Sequence, residues 1–155
     1  MRVGEIMKRD VTTASPEDTF VEVARLLREH GISSIVVMDG HAISGIVTER
    51  DLVNLVAEGG EPGAAKLGER MSRNLDTVEP STDIAEAAEH MARLKIRHLP
   101  VVERGSLVGI ISIRDLIDWA VAELTAGHEL PDMERSHTAL TAAVEINRSE
   151  PGPGP

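Results

Sequence analysis

The sequence has no cysteine and very few aromatic residues. Without cysteine there is no disulfide framework, no thiol nucleophile and no cysteine-ligated zinc site. Phe20 and Trp119 are the only aromatic residues in the 155-residue chain, which has no tyrosine. Proteins that bind single-stranded nucleic acid usually stack bases on aromatic side chains, so this class of partner is not expected.

Long apolar runs and an excess of basic residues are also absent. No stretch approaches the roughly 18 consecutive apolar residues of a membrane-spanning helix, and Met1–Glu5 lacks the apolar core of a secretory signal. The net charge of −10 opposes binding to DNA or RNA through lysine and arginine. We therefore expect a soluble, cytoplasmic protein that has neither nucleic acid nor membrane as a partner.

The residue patterns of catalysis and metal binding are missing as well. The six histidines show no short metal-ligand spacing. There is no glycine-rich phosphate loop and no nucleophile elbow, and no carboxylate pair stands out for acid–base chemistry. We expect no enzyme activity, no metal and no required cofactor.

An internal repeat organises the chain. Displacing the sequence by 64 positions, the separation of Gly45 from Gly109, aligns Val3–Val56 with Leu67–Ala120 without a gap. The match ends in the same Arg-Asp-Leu sequence in both copies. An ungapped match of this length indicates a duplicated structural unit.

Each copy predicts a helix, two strands and a second helix. In the first copy Thr19 and Glu22 are spaced as a capping box before an amphipathic helix. The β-branched run Ile35–Val37, the turn signal Asp39-Gly40 and the apolar run Ile43–Val47 predict a hairpin. A helix from Arg50 to Val56 closes the copy, and an extended lead-in containing Thr12-Thr13 precedes it all.

The second copy repeats this order. Asp83 and Glu86 occupy the capping positions, a hairpin turns at Arg104-Gly105, and a helix runs from Arg114 to about Leu124. We predict an α/β fold of the α+β type, in which two pseudo-twofold-related units pack their sheets on each other. The expected organisation is a first domain, a Gly/Pro-rich linker, a second domain, a C-terminal segment with a helical pattern over Met133–Ile146, and a disordered tail: 1–58, 59–66, 67–124, 125–148 and 149–155.

The strand ends carry the most specific motifs. They are Gly45–Asp51 and Gly109–Asp115, with Lys95–Val101 before the second hairpin. On these motifs the chain resembles the CBS (cystathionine-β-synthase-type) domains, which usually occur as pairs called Bateman modules. The resemblance covers both repeat copies. It implies a regulatory module that binds adenine nucleotides such as AMP, ADP or ATP, with S-adenosylmethionine and NADH as alternative ligands.

The resemblance also implies particular contacts. A hydroxyl, Thr48 or Ser112, would hold phosphate, and the carboxylate three residues later, Asp51 or Asp115, would hold the ribose hydroxyls. The adenine would lie in a cleft walled by the segments Gly31–Val37 and Lys95–Val101, with the lead-in residues also facing it. The candidate cleft residues are Thr13, Ile32, Ser34, Ile35 and Val36 in the first copy, and Thr77, Ile96, His98, Leu99 and Pro100 in the second.

Chemistry supports these assignments independently, although each motif is also an acceptable helix capping box. A helix start favours an anion, a carboxylate accepts hydrogen bonds from two hydroxyls, and Arg50 and Arg114 could offset phosphate charge. The copies differ in places, since Lys95 aligns with Gly31 and Val36 with Pro100. Which cleft is occupied therefore stays open.

Two functions are compatible with the sequence. The first is a stand-alone sensor whose nucleotide binding changes its affinity for a separate effector protein or its assembly. The alternative is a dimerisation or interaction module that binds no ligand. The apolar helix runs Leu52–Val56 and Leu116–Ala120 would form a homodimer in either case.

Overall fold

The computed structural model describes residues 1–126 and Thr141. In chain order its elements are α1 (Val3–Ile6), β1 (Thr13–Ala14), α2 (Phe20–His30), β2 (Ser34–Asp39), β3 (Ala42–Thr48), α3 (Glu49–Ala57), α4 (Leu67–Arg70), α5 (Ile84–Leu94), β4 (His98–Glu103), β5 (Ser106–Ser112) and α6 (Ile113–Thr125). The α/β fold and the order helix, strand, strand, helix in each repeat are confirmed. The helix predicted over Met133–Ile146 lies outside the described residues.

The chain forms two compact units. The N unit is Asp10–Asp76, and the C unit combines Met1–Arg9 with the described residues from Thr77 onward. The N-terminal segment therefore contains the start of the first repeat in sequence but belongs in space to the second repeat. The segment around α4 likewise belongs to the first, so the repeat boundaries in sequence are not the boundaries of the compact units.

The N unit is built on a three-stranded sheet. Strand β1 pairs with β2 in parallel, and β2 pairs with β3 in an antiparallel register that places Ser34 opposite Thr48. Because side chains alternate along a strand, one face of this hairpin faces the core. The core contains Ala14, Phe20, Val23, Leu27, Ile35, Val37, Val47, Leu55, Leu67 and Met71.

The C unit repeats this arrangement on a two-stranded sheet. Strands β4 and β5 are antiparallel, with His98 opposite Ser112. The predicted second lead-in strand is reduced to one parallel bridge between Val78 and Val101. The core contains Val3, Met7, Val78, Ile84, Ala87, Ala88, Met91, Leu99, Val101, Ile111 and Leu116.

Two four-residue helices, α1 and α4, were not predicted. They tie the exchanged segments into their units, since Gly4 N donates to Pro80 O and Gly68 N to Pro16 O, both at 2.9 Å. Helices of one turn leave little periodicity in a sequence, which is why the pattern of apolar residues did not indicate them. Each is followed by a methionine and one residue that bridges to the sheet.

That bridging residue is Lys8 in the C unit and Ser72 in the N unit. Lys8 exchanges two backbone hydrogen bonds with Ile110, both 2.9 Å, and Ser72 exchanges two with Ile46, both 3.0 Å. Lys8 and Ser72 thus occupy equivalent backbone positions in the two units. Each is hydrogen-bonded to the strand, β5 or β3, that leads into the closing helix.

The capping residues behave as expected at α2. Thr19 N donates to Glu22 Oε2 at 2.7 Å, while the Thr19 hydroxyl accepts from Glu22 N at 3.4 Å. Thr19 Oγ1 also donates to Glu22 Oε2 at 2.8 Å, and the bonds that the Thr19 backbone and hydroxyl donate to this carboxylate lower the pKa of Glu22. At α5, Asp83 caps the helix by accepting from Ala85 N at 3.0 Å.

No helix in the described part of the chain is long and apolar enough to cross a membrane. Over the same residues, no group of three or more histidine or carboxylate side chains is arranged to hold a metal ion.

Candidate functional site

The first candidate site lies where β3 ends and α3 begins, and we call it the Asp51 site. Thr48 N and Thr48 Oγ1 both donate to Asp51 Oδ2, at 2.7 and 2.8 Å, so the carboxylate is fixed at the helix start. Asp51 Oδ1 forms no hydrogen bond or ion pair with the other described residues. One oxygen of a half-buried carboxylate is therefore available to accept hydrogen bonds from a ligand.

The second candidate site, the Asp115 site, lies where β5 ends and α6 begins. Ser112 N and Ser112 Oγ donate to Asp115 Oδ2 at 2.7 and 2.5 Å, and Asp115 N donates back to Ser112 Oγ at 3.3 Å. The capping-box interpretation of both motifs is therefore correct. It leaves each hydroxyl with its hydrogen committed to the carboxylate, so a phosphate contact through the hydroxyl requires it to rotate.

The second oxygen of Asp115 is engaged, unlike that of Asp51. Lys8 Nζ lies 3.3 Å from Asp115 Oδ1, and the two side chains are 58 % and 10 % exposed. The equivalent position in the N unit is Ser72, whose neutral hydroxyl cannot form an ion pair. The two sites thus have the same backbone but present their carboxylates differently.

The helix starts are tied to the residue before each hairpin. Glu49 N donates to Ser33 O at 3.1 Å, and Ile113 N donates to Arg97 O at 2.9 Å. This bond brings the segment before β2 or β4 against the first turn of the closing helix. Ser33 and Arg97 are therefore equivalent residues beside the Asp51 and Asp115 sites.

In each repeat the following residue, Ser34 or His98, faces the same side of the sheet as the site hydroxyl. Ser34 is paired with Thr48 and His98 with Ser112, and directly opposed residues in an antiparallel pair share a face. Ser34 is only 7 % exposed, and its hydroxyl forms no hydrogen bond with the described residues. The hydroxyl can therefore donate a hydrogen bond to, or accept one from, a ligand bound on this face of the sheet.

His98 sits in a cationic environment. Burial and the nearby Arg97 lower the pKa of His98 to about 4, with further lowering by Lys8 and Arg114 and an opposing effect of Asp115. Because this value is far below 7, the imidazole is neutral at neutral pH. The side chains that perturb it also show which charges surround the Asp115 site.

The remaining predicted cleft residues divide into three groups. Ile35 and Leu99 are fully buried in the cores of their own units and do not line the sites. Val36 and Pro100 are buried on the opposite strand face, the face that carries Ser34 and His98. Ile32 and Ile96 are half-buried before the hairpins, and Thr13 and Thr77 are exposed.

Sequence reasoning missed Lys8, Ser72 and Arg97 as site residues. Their signal was present in the repeat, because Lys8 aligns with Ser72 and Arg97 with Ser33 at the same displacement of 64 positions. Identical residues identify the repeat, whereas these positions are informative because they differ between the copies. The exchange of N-terminal segments that brings Lys8 to the second repeat left no signal in the sequence.

Comparison with known proteins agrees with the duplicated architecture. The family model described as CBS domain matches residues 3–58 and 66–122. The uncharacterized protein MK0525 of Methanopyrus kandleri is 42 % identical over 118 residues, which are 74 % of this chain and 60 % of MK0525. The chain therefore spans less than two thirds of the length of that relative.

Solved structures with the same fold include ligand complexes. The CBS-domain containing protein ATU1752 of Agrobacterium tumefaciens is 34 % identical, with a TM-score of 0.73 and coverage of 77 % of this chain and 98 % of that one. The CBS domain pair of protein MJ0100, in complex with 5′-methylthioadenosine and S-adenosyl-L-methionine, is 26 % identical with a TM-score of 0.72. It covers 77 % of this chain, and the alignment covers 98 % of the MJ0100 chain. With two matches to the family model that together span most of its length, this chain belongs to the CBS domain family.

Proposed function

We propose that this chain is a regulatory module that binds adenine-type ligands and does not catalyse a reaction. Binding of AMP, ADP, ATP or a related adenosine derivative at one or both strand-end sites would change its affinity for a partner protein or its assembly. We place this role in the cytoplasm. A ligand can shift such a state only by its different affinities for the two forms.

The free oxygen of Asp51 is the observation that carries this proposal. The carboxylate is held by the backbone and hydroxyl of Thr48, so its orientation is fixed before any ligand arrives. A preorganised acceptor loses little entropy when it receives a pair of ribose hydroxyls. The hydroxyl of Ser34, which is paired with Thr48 across the hairpin, adds a second polar group on the same face.

The relative with bound ligands supports the same ligand class. Both compounds in the MJ0100 complex, 5′-methylthioadenosine and S-adenosyl-L-methionine, contain adenosine. Neither contains a phosphate. The shared requirement is therefore the base and the ribose, which is the part that a fixed carboxylate recognises.

A thermal-shift screen with calorimetric titration tests the proposal. Adenosine, AMP, ADP, ATP, NADH and S-adenosylmethionine would be compared with the wild type and with the Asp51→Asn and Asp115→Asn variants. A ligand at about a hundred times its Kd should stabilise the native state by about 2.7 kcal/mol. We expect at least one selective, saturable ligand whose binding one of the two variants removes.

Asp83→Asn is the matched control, because Asp83 also caps a helix but lies at α5, away from both strand ends. It should lower stability slightly and leave ligand binding unchanged. Failure of every adenine compound to bind the wild-type chain would contradict the proposal. Equal loss of binding in the control would mean that the site variants act through stability alone.

A second candidate function, assembly without a ligand, is favoured by exposed apolar side chains on the closing helices. Val53 and Val56 of α3 are 64 and 57 % exposed, and Val121 and Leu124 of α6 are 51 and 54 % exposed. Residues three or four apart share a helix face, so these pairs form apolar surfaces suited to a homodimer. Sedimentation of the wild type and of Val53→Glu, with and without the best ligand, separates assembly from sensing.

A further inference from the structure

The two strand-end sites have the same backbone arrangement but different charged side chains around the carboxylate. Four equivalent positions around the carboxylates differ. Three of the differences add positive charge to the C unit or negative charge to the N unit, and the fourth replaces a hydroxyl with a neutral imidazole. Listed with the N-unit residue first, they are Ser72 and Lys8, Ser33 and Arg97, Ser34 and His98, and Glu49 and Ile113.

The two sites differ in the charged side chains that surround the carboxylate. Around Asp115 lie three permanent cations, Lys8, Arg97 and Arg114, each close enough to His98 to affect its pKa. Each of these cations lowers the pKa of the His98 imidazole, whereas Asp115 raises it. At the Asp51 site the sequence places a second carboxylate, that of Glu49, where the C unit has Ile113, and serines where the C unit has Lys8 and Arg97.

The carboxylates themselves are prepared for different ligands. Asp51 keeps Oδ1 open for hydroxyl donors, and its neighbours are serine hydroxyls that add no charge. Asp115 has Oδ2 bound by Ser112 and Oδ1 by Lys8. A neutral nucleoside would have to displace an ion pair to reach Asp115, whereas an anionic group gains a direct attraction to Lys8, which is more than half exposed.

We propose that the two sites divide adenine ligands by phosphate charge. The Asp115 site takes adenine nucleotides that carry two or three phosphates, and the Asp51 site takes adenosine derivatives with little or no phosphate charge. The inference rests on the proposed function, because it assigns ligand classes to the same two sites. The module then binds a charged adenine ligand at one site and an uncharged one at the other, so its two sites are not equivalent.

Reciprocal exchange of Lys8 and Ser72 tests the inference by calorimetric titration of the full chain with ATP and with adenosine. Lys8→Ser is made in the Asp51→Asn chain, which leaves the Asp115 site to be measured. Ser72→Lys is made in the Asp115→Asn chain, which leaves the Asp51 site. Each unit naturally carries the residue that the other receives, so both exchanges are compatible with this backbone.

We expect Lys8→Ser to weaken ATP binding at the Asp115 site about tenfold, the effect of losing one partly exposed charge contact. Adenosine binding there should become stronger, because the variant frees Asp115 Oδ1 from its ion pair. Ser72→Lys should weaken adenosine binding at the Asp51 site several-fold, because the new ammonium group competes for Asp51 Oδ1. Arg93→Gln removes the same charge from α5 of the C unit and should change neither affinity.

Salt dependence provides a test without a change at Lys8. Raising the ionic strength should weaken ATP binding to the Asp51→Asn chain far more than adenosine binding to the Asp115→Asn chain. Equal affinities of both ligands at both sites, unaffected by the exchange and by salt, would overturn the division by charge while leaving the proposed function intact. No binding of any adenine compound to the wild type would overturn both.

Discussion

The Lys8 ammonium lies 3.3 Å from Oδ1 of Asp115, which joins the N-terminal segment to the first turn of α6. The lysine is 58 % exposed, so water and salt screen the attraction and a pair of this kind contributes at most about 1 kcal/mol to stability. Its main consequence is electrostatic. It places a cation at one strand end that the other strand end lacks.

Lys8→Ser should therefore change the free energy of unfolding by less than about 1 kcal/mol. The N unit already has a serine at this position, with the two backbone hydrogen bonds to the sheet in place. Urea denaturation followed by circular dichroism measures the change. A loss of several kcal/mol would mean that Lys8 holds the segment in place and is not simply a charge beside the site.

His98 should make the protein sensitive to acid. Its pKa in the folded chain is about 4, whereas the ordinary value is 6.5. As the pH falls below about 6.5, the unfolded chain binds this proton first, so stability is lost progressively until the pH reaches about 4. Linkage sets the loss at about 2–3 kcal/mol, with the full stability present above pH 6.5.

The comparison of His98→Gln with the wild type isolates this effect from the protonation of carboxylates. Unfolding free energies measured between pH 7.5 and 4.5 should fall less steeply in the variant. His30→Gln removes an exposed histidine at the end of α2 and is the matched control. Parallel curves for wild type and His98→Gln would show that His98 keeps an ordinary pKa in the folded protein.

Gly45 and Gly109, which align in the two repeats, lie too close to a neighbouring segment to accept a side chain without a shift. A Cβ at Gly109 would lie 2.6 Å from Met7 Sδ and 2.9 Å from the Lys8 carbonyl oxygen, and one at Gly45 would lie equally close to Met71 and Ser72. Alanine at either position should destabilise the protein by about 1–3 kcal/mol, because the bridging segment must move. Gly63→Ala, with nothing within 4 Å, should change stability little. Equal effects at Gly63 and Gly109 in urea denaturation would contradict this explanation.

The sequence predicted the hairpins and closing helices well because each is specified locally. Thr19 with Glu22 marks a helix start, and Asp39-Gly40 marks a turn between two β-branched runs. The same pattern occurs in both copies, where a strand ends in a hydroxyl residue and a carboxylate follows three residues later in the first turn of a helix. The capping geometry of the two sites followed directly.

The composition of the sites could not be predicted because it depends on contacts between distant segments. Lys8 reaches Asp115 only because the N-terminal segment packs with the second repeat. Ile35 and Leu99 were placed in the clefts because the wall segments were treated as continuous, but alternation along the strand turns them into the cores. The backbone conformation of Lys95 was not predicted either. It is the left-handed conformation that Gly31 takes in the other copy, with φ of 55° for Lys95 and 61° for Gly31.

Nucleotide binding at the Asp115 site should be accompanied by proton uptake. At pH 5.5 His98 is mostly neutral because Lys8, Arg97 and Arg114 add to the effect of burial. A triphosphate placed among these cations would offset their charge and raise the pKa of His98, so the imidazole would bind a proton as the ligand binds. Calorimetric titration of the Asp51→Asn chain with ATP in two buffers of different ionisation enthalpy measures the protons exchanged.

His98→Gln in the same chain should bind ATP with less proton uptake, and adenosine should cause little uptake in either protein. An uptake that is the same with and without His98 would place the nucleotide phosphates away from this histidine, and with it away from the cations that surround Asp115.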